Sequence, residues 1–401
     1  MNFKPISLVN VFFVKGMHHT AMGRLALKNR RIFFEYTPEF IRLGLEPSPF
    51  HLPLKPGVHV CSDPVFEGVF GLFNDSLPDG WGRLLLDRKL LKNGIHPNTL
   101  SPLDRLCCVG SNSMGALVYK PEISDQSPFI PHDLDQLEEE ALAIQRGAGD
   151  TFIDDLMSLN GSSSGARPKI NLTIDQDTWL IKFRSSLDLV DSGPIEYAYH
   201  LMAKDAGLVV PTAQLFASQK GPGYFGVQRF DRTAGQRQHI HTISGLLHAD
   251  HRIPSLDYET IMKATLWLTK DVRECEQQFT VAIFNILSHN RDDHAKNFSF
   301  IMGDTGMWHV SPSYDLTFSS GPAGEHSTII MGEGKSPQLD HALKLAAISS
   351  IKKDQALALI EKVRIVTNKW ECYASEANVS MASRIAIHKT LQRVHKHFFN
   401  G

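Results

Sequence analysis

Over residues 6–14 and 23–36, apolar side chains alternate with polar ones or run together among β-formers, as in half-buried strands. Lys15 to Met22 reads as the turn between them. Phe66 to Phe73, rich in Gly and Phe, leads into Leu77-Pro78-Asp79-Gly80. Leucines at 84, 85, 86, 90 and 91 then predict a helix over Trp81 to Leu91, and Gly115 to Tyr119 reads as a closing strand. Residues 1–122 are thus expected to form a mixed α+β subdomain. The acidic, polar stretch 123–145 reads as a connector entering a short helix. Residues 170–184 predict two strands around a turn at Asp175 to Asp177. Asp191-Ser192-Gly193-Pro194 predicts a helix start, with a capping side chain and a proline in the first turn, and the helix runs to Gly207. Tyr224 to Phe230 is the last strand of a second unit, residues 123–235. From 258 onward the period is helical. The final helix carries Ile387, Leu391, Val394 and Phe398 on one stripe, so 236–401 is expected to be a mostly helical lobe.

Composition narrows the class. The chain has 401 residues, 42% hydrophobic and 21% charged, which suits two or three packed units with a core that needs no disulfides. Its five cysteines are odd in number and form no C-x-x-C, so they read as reduced thiols. Ile6 to Val14, the most apolar early stretch, is about half a membrane span and lacks a basic leader or cleavage site; a cytoplasmic protein without a membrane partner is expected. A net charge of −2 gives none of the basic excess of a stand-alone nucleic-acid binder. The basic clusters at 28–31 and 393–397 read as solvated faces.

Chemistry concentrates in Asn290-Arg291-Asp292-Asp293-His294-Ala295-Lys296-Asn297. An apolar helical run, Phe279 to Leu287, precedes it. Two short strands, Phe298 to Met302 and Met307 to Val310, follow and lead to Tyr314-Asp315-Leu316. Helix, D-x4-N loop, hairpin and Asp follow the order of a protein-kinase catalytic segment. Asp292 is the candidate base for an acceptor hydroxyl, and Asn297 and Asp315 offer the hard oxygens that suit Mg²⁺. Upstream, Gly161 to Gly165 is a small-residue loop just before a strand, where backbone N–H groups can approach phosphate oxygens. It is not a Walker A sequence. Lys182, near a strand end, is the candidate phosphate-binding lysine, with Glu196 as its candidate ion-pair partner.

These segments are accompanied by Phe66-Glu67-Gly68, Leu77-Pro78-Asp79-Gly80-Trp81-Gly82-Arg83, Gly165-Ala166-Arg167-Pro168-Lys169 and Gln228-Arg229-Phe230-Asp231-Arg232. With them the chain resembles the HipA family of bacterial toxin kinases over nearly its whole length. The resemblance implies an α+β, bilobal protein-kinase-like fold with an additional N-terminal subdomain. It implies ATP bound between the lobes by Ser162, Ser163, Ser164, Gly165 and Ala166, by Lys182, by backbone near Gln228 and Phe230, and by His294 and Lys296. Asp292 would be the catalytic base, and Asn297 and Asp315 would hold Mg²⁺. Autophosphorylation would fall on Ser162, with Ser164 as runner-up. The implied partners are a helix-turn-helix antitoxin of HipB type, which alone would touch DNA, and a protein substrate such as an aminoacyl-tRNA synthetase. Asp293 stands where some members carry glycine. The same residues would also serve a small-molecule kinase, or persist in a catalytically silent ATP-binding co-repressor. A metal-dependent hydrolase built on His289, Asp292, Asp293 and His294 lacks the supporting spacing.

Overall fold

The computed structural model describes residues 4–123, 133–149, 151–161 and 165–400. Its N-terminal part holds β1 (Leu8–Lys15), β2 (His18–Lys28), β3 (Arg31–Tyr36), α1 (Pro38–Leu43), β4 (Val58–Val60), α2 (Gly71–Asn74), α3 (Gly80–Lys92), α4 (Pro102–Val109) and β5 (Leu117–Lys120). The five strands form one antiparallel sheet in the order β4-β3-β2-β1-β5. Two expectations need correction here. The run 23–36 is two strands, split by a tight turn in which Asn29 and Arg30 both have positive φ, as such hairpins require. The turn expected over Lys15 to Met22 shrinks to Gly16 and Met17, because His18 and His19 already pair with Lys15 and Val14. A polar strand start carries no hydrophobic signal, so the pattern undercounted it.

The middle part comprises α5 (Leu134–Gln145), α6 (Ile153–Asn160), β6 (Lys169–Ile174), β7 (Asp177–Lys182), α7 (Ser192–Asp205), β8 (Ala213–Phe216) and β9 (Tyr224–Gln228). Its sheet runs β6-β7-β9-β8, all antiparallel. The turn at Asp175 and Gln176 lies where the sequence placed it. Helix α7 begins as expected, but Asp191 does not cap it. Its carboxylate instead accepts from Ser380 N–H (3.0 Å) and Ser383 Oγ (3.1 Å), far along the chain.

The last part holds β10 (Arg232–Thr233), β11 (Gln236–Arg237), β12 (His239–Thr242), α8 (Ile243–Leu247), β13 (Leu256–Asp257), α9 (Tyr258–Thr269), α10 (Val272–Leu287), β14 (Ser299–Met302), β15 (Trp308–Val310), β16 (Thr328–Ile329), α11 (Leu339–Ile348), α12 (Lys353–Thr367), α13 (Trp370–Glu376) and α14 (Met381–Asn400). Helix α10 is its axis: Phe279 to Leu287 is buried on every side, with α9, α12 and α14 around it. Among the described residues, no helix is long and apolar enough to cross a membrane.

Two packings join the parts. Helix α3 lends Trp81 and Leu85 to the core under the middle sheet, beside Leu156, Ile170 and Trp179. Helix α2 lies so close on α8 that a Cβ at Gly71 would overlap the carbonyl of Gly245, so only glycine fits there. One apolar core runs from the N-terminal sheet through α7 into the helical lobe. Inside it, Tyr199 donates to Ser288 O at 2.6 Å and meets the Trp370 ring edge-on at 5.5 Å.

Candidate active site

Strands β6 and β7 place the cations. Lys169 and Lys182 are direct cross-strand partners, so both side chains leave the same face of the sheet, and both line the cleft between the lobes. Lys182 is paired with Glu196 on α7 and with Asp315. Burial opposes its charge, but the two carboxylates outweigh burial and hold the ammonium above the ordinary lysine range. Lys169 shows the reverse balance. Burial pushes its pKa down and Lys182 adds to the push, while Asp315 and Asp79 only partly offset it.

Helix α10 delivers the opposite wall. After Leu287 the chain turns through His289, with φ at +58°, and Asn290 Nδ2 donates to Asn285 Oδ1 at 2.9 Å. Asn297 Nδ2 donates to the Asp292 carbonyl at 2.6 Å, which closes the D-x4-N loop on itself and leaves the Asn297 amide oxygen for a ligand. The β14–β15 hairpin then returns the chain to Asp315. Tyr314 Oη fixes that return by donating to Lys296 O at 2.6 Å. Asp315 is held at φ +54°, an unusual conformation for a non-glycine residue and one that clusters at functional sites. Burial raises its pKa, but Lys182 and Lys169 overcome this and keep the carboxylate ionised.

Gly165, Lys182, Gln228, Phe230, His294, Lys296, Asn297 and Asp315 all line this one cleft. The Gln228 N–H is already bonded to Thr212 O at 2.8 Å, and the Arg229 N–H to Thr178 O at 2.8 Å, so neither amide is open to a ligand. Ala166 does not reach the lining. Ser162, Ser163 and Ser164 lie outside the described residues. Asp292 is exposed and outside the lining, next to it through the bond from Asn297. The surrounding protein raises its pKa, and Asp315 and Asp293 add to the rise against His294 and Arg167. Asp293 faces the other way, fully buried. It accepts from Tyr258 Oη (2.7 Å), Ser327 N–H (2.8 Å) and Thr328 N–H (3.3 Å), and it meets His326 Nδ1 at 2.9 Å. Among the described residues no three His, Cys, Asp or Glu side chains converge as a metal group.

Two residues escaped sequence reasoning. Lys169 had a usable signal, a lysine opening an apolar strand directly after the small-residue loop. Asp79 had none beyond its motif: its carboxylate meets Lys296 and accepts the Gly165 N–H at 2.7 Å, from another part of the chain.

A four-stranded antiparallel lobe over a helical lobe, with Lys182 joined to Glu196 and Asp315 and with Asn297 in the same cleft, defines a bilobal protein-kinase-like protein carrying an extra N-terminal α+β unit. Residues 16–120 match the model of the HipA N-terminal domain, and residues 161–370 match that of the HipA-like C-terminal domain. The chain belongs to the HipA family. The HipA chain of a Shewanella oneidensis complex of HipA, HipB and operator DNA shares the fold: TM-score 0.72, 17% identity, with 97% of each chain covered. The Helicobacter pylori proinflammatory kinase CtkA aligns over 59% of this chain and 90% of its own, at 13% identity and a TM-score of 0.39, too low to bear on the fold.

Proposed function

We propose that this protein is an ATP- and Mg²⁺-dependent serine/threonine protein kinase, the toxin of a toxin–antitoxin pair. The observation that carries the reading is the convergence of Lys182, Asn297 and Asp315 in one cleft, with the exposed Asp292 tied to Asn297 through its carbonyl. Three units divide the work in this reading: 1–122 as the N-terminal subdomain, 123–235 as the nucleotide lobe and 236–401 as the catalytic lobe.

The donor set fits the metal. Asn297 and Asp315 present oxygen only, and the bond from Asn297 Nδ2 to Asp292 O frees the amide oxygen, as a hard cation needs. When bound, Mg²⁺ offsets phosphate charge. Lys182, oriented by Glu196, binds phosphate oxygens, and Lys169 adds a second positive charge beside it. Asp292 orients the acceptor hydroxyl and takes its proton as the oxygen attacks in line; its open position lets a protein chain reach it. Catalysis then rests on positioning and charge, without a covalent enzyme intermediate.

The family supports the finer parts of the proposal: self-phosphorylation at Ser162 (or Ser164), a translation component such as an aminoacyl-tRNA synthetase as substrate, and action in the cytoplasm. A HipB-type antitoxin as partner, with DNA reached only through it, is further supported by the Shewanella complex.

Intact mass after incubation with Mg²⁺-ATP tests the proposal. The wild type is expected to gain one phosphoryl group, mapped to residues 162–164, and Asp292→Ala to lose transfer by about a hundredfold or more. Equal transfer by Asp292→Ala removes the base assignment. Phosphate appearing only on a soluble metabolite replaces the protein-kinase reading with a small-molecule kinase, and nucleotide binding without any transfer favours the co-repressor.

A further inference from the structure

By chain order the turn Leu77-Pro78-Asp79-Gly80-Trp81 belongs to the N-terminal unit, yet its polar groups serve the cleft. Asp79 Oδ1 accepts the Gly165 N–H at 2.7 Å, and Oδ2 meets the Lys296 ammonium. From the other side, Trp81 N–H donates to Gly165 O at 3.0 Å, so residue 165 is held by both of its backbone polar groups. Gly80, at φ +41°, allows the approach: a Cβ there would stand 2.7 Å from Ala166 Cα.

Gly165 and Lys296 line the cleft from opposite lobes, and Lys296 is adjacent to the D-x4-N asparagine. The Lys296 side chain is 3% exposed, and the Asp79 carboxylate is its ion-pair partner there. His251 Nε2 stands 3.6 Å from Asp79 Oδ2, but burial, helped by Lys296, keeps that ring's pKa down at about 4. At neutral pH the ring is uncharged, and the cation Asp79 holds is Lys296. A single carboxylate therefore ties the strand-side loop end to the catalytic loop, and it comes from neither lobe.

We propose, on the reading of this cleft as a phosphotransfer site, that Asp79 is a positioning residue. It fixes Gly165 and Lys296 at the spacing that receives the donor phosphates. It touches no reacting atom and acts through the two groups it holds.

Asp79→Asn keeps an oxygen for the Gly165 N–H and removes the charge facing Lys296. The test measures the Kd for Mg²⁺-ATP, and separately phosphate transfer, in the wild type, Asp79→Asn, Lys296→Met and the double variant. Asp79→Asn is expected to weaken Mg²⁺-ATP about tenfold, whereas adding it to Lys296→Met changes Kd less than about twofold, because the two act as a unit. A wild-type Kd in folded Asp79→Asn, tighter binding, or effects that multiply independently in the double variant each overturn the proposal. If Asp79→Asn does not fold, Asp79→Glu keeps the charge but moves the carboxylate by one methylene. Kd is then expected to remain at least about threefold weak, and full recovery overturns the positioning role. A wild type that binds nucleotide but transfers nothing sinks the kinase reading, while the Kd series still decides the role of Asp79. Normal transfer with an unaffected Asp79→Asn sinks this inference alone.

Discussion

Adjacent carboxylates at 292 and 293 have opposite fates. Asp292 is open to solvent, while Asp293 is wholly buried and is the acceptor for Tyr258 and the 327–328 backbone, with His326 beside it. Removing Asp293 strands those groups inside the protein. Asp293→Ala should therefore cost roughly 3–5 kcal/mol in denaturant unfolding, whereas Asp292→Ala should leave stability nearly unchanged. Equal losses in the two variants would contradict this division. The five-residue step from Asp292 to Asn297 could be read in the sequence because it is local. Which of the two aspartates stays exposed could not, since the choice is made by a segment more than thirty residues downstream. The Lys182–Glu196 pair was legible for the same local reason, a strand followed by one helix. Asp79 and Lys296 lie 217 residues apart, and no periodicity spans that distance.

At the level of elements, the segment after β9 has two roles. Phe230 turns into the cleft and packs near Tyr314 at 5.7 Å, while Asp231, at the edge of the same lining, binds Arg229 and Arg232 at 2.8 Å each. Asp231 Oδ2 also accepts the Gly115 N–H at 2.9 Å, and Arg232 and Arg237 donate to the Gly115 carbonyl. This cluster clips β10 and β11 to the approach of β5. Burial opposes the charge of Asp231, but the two arginines overcome it and hold its pKa below the ordinary 3.8. Its stabilisation is therefore complete above that value and lost as pH falls below it. Asp231→Asn should lower Tm clearly at pH 7, and the gap to wild type should close below about pH 4. A gap that stays constant to pH 3 would exclude the charge as its cause. Element positions were readable where turn chemistry marks them, as at Asp175 and Gln176. They were missed where a polar strand start gave no alternation, as at His18.

For the whole molecule, the N-terminal, middle and last parts of the chain share cores rather than surfaces. Trp81 lies in the core under the middle sheet, Gly71 packs against Gly245, and Tyr199 bonds across to Ser288. Deleting residues 1–122 would open the middle core and expose the α8 face. The fragment 123–401 should lose its cooperative melting transition and bind hydrophobic dyes; a sharp melt like that of the full chain would show the units to be independent. The order of helix, loop, hairpin and Asp over residues 279–316 was visible in sequence because each part follows the last closely. The shared cores were not, since an apolar residue looks the same whichever neighbour it packs on.

Proteins whose parts meet through polar, solvated seams can diversify by recombination, trading whole modules between genes. Here a crossover near residue 120 would have to match Trp81 to a foreign sheet and Gly71 to a foreign Gly245 in the same event. Chimeras joined there should mostly fail to fold, which leaves single substitutions as the route by which such a chain changes.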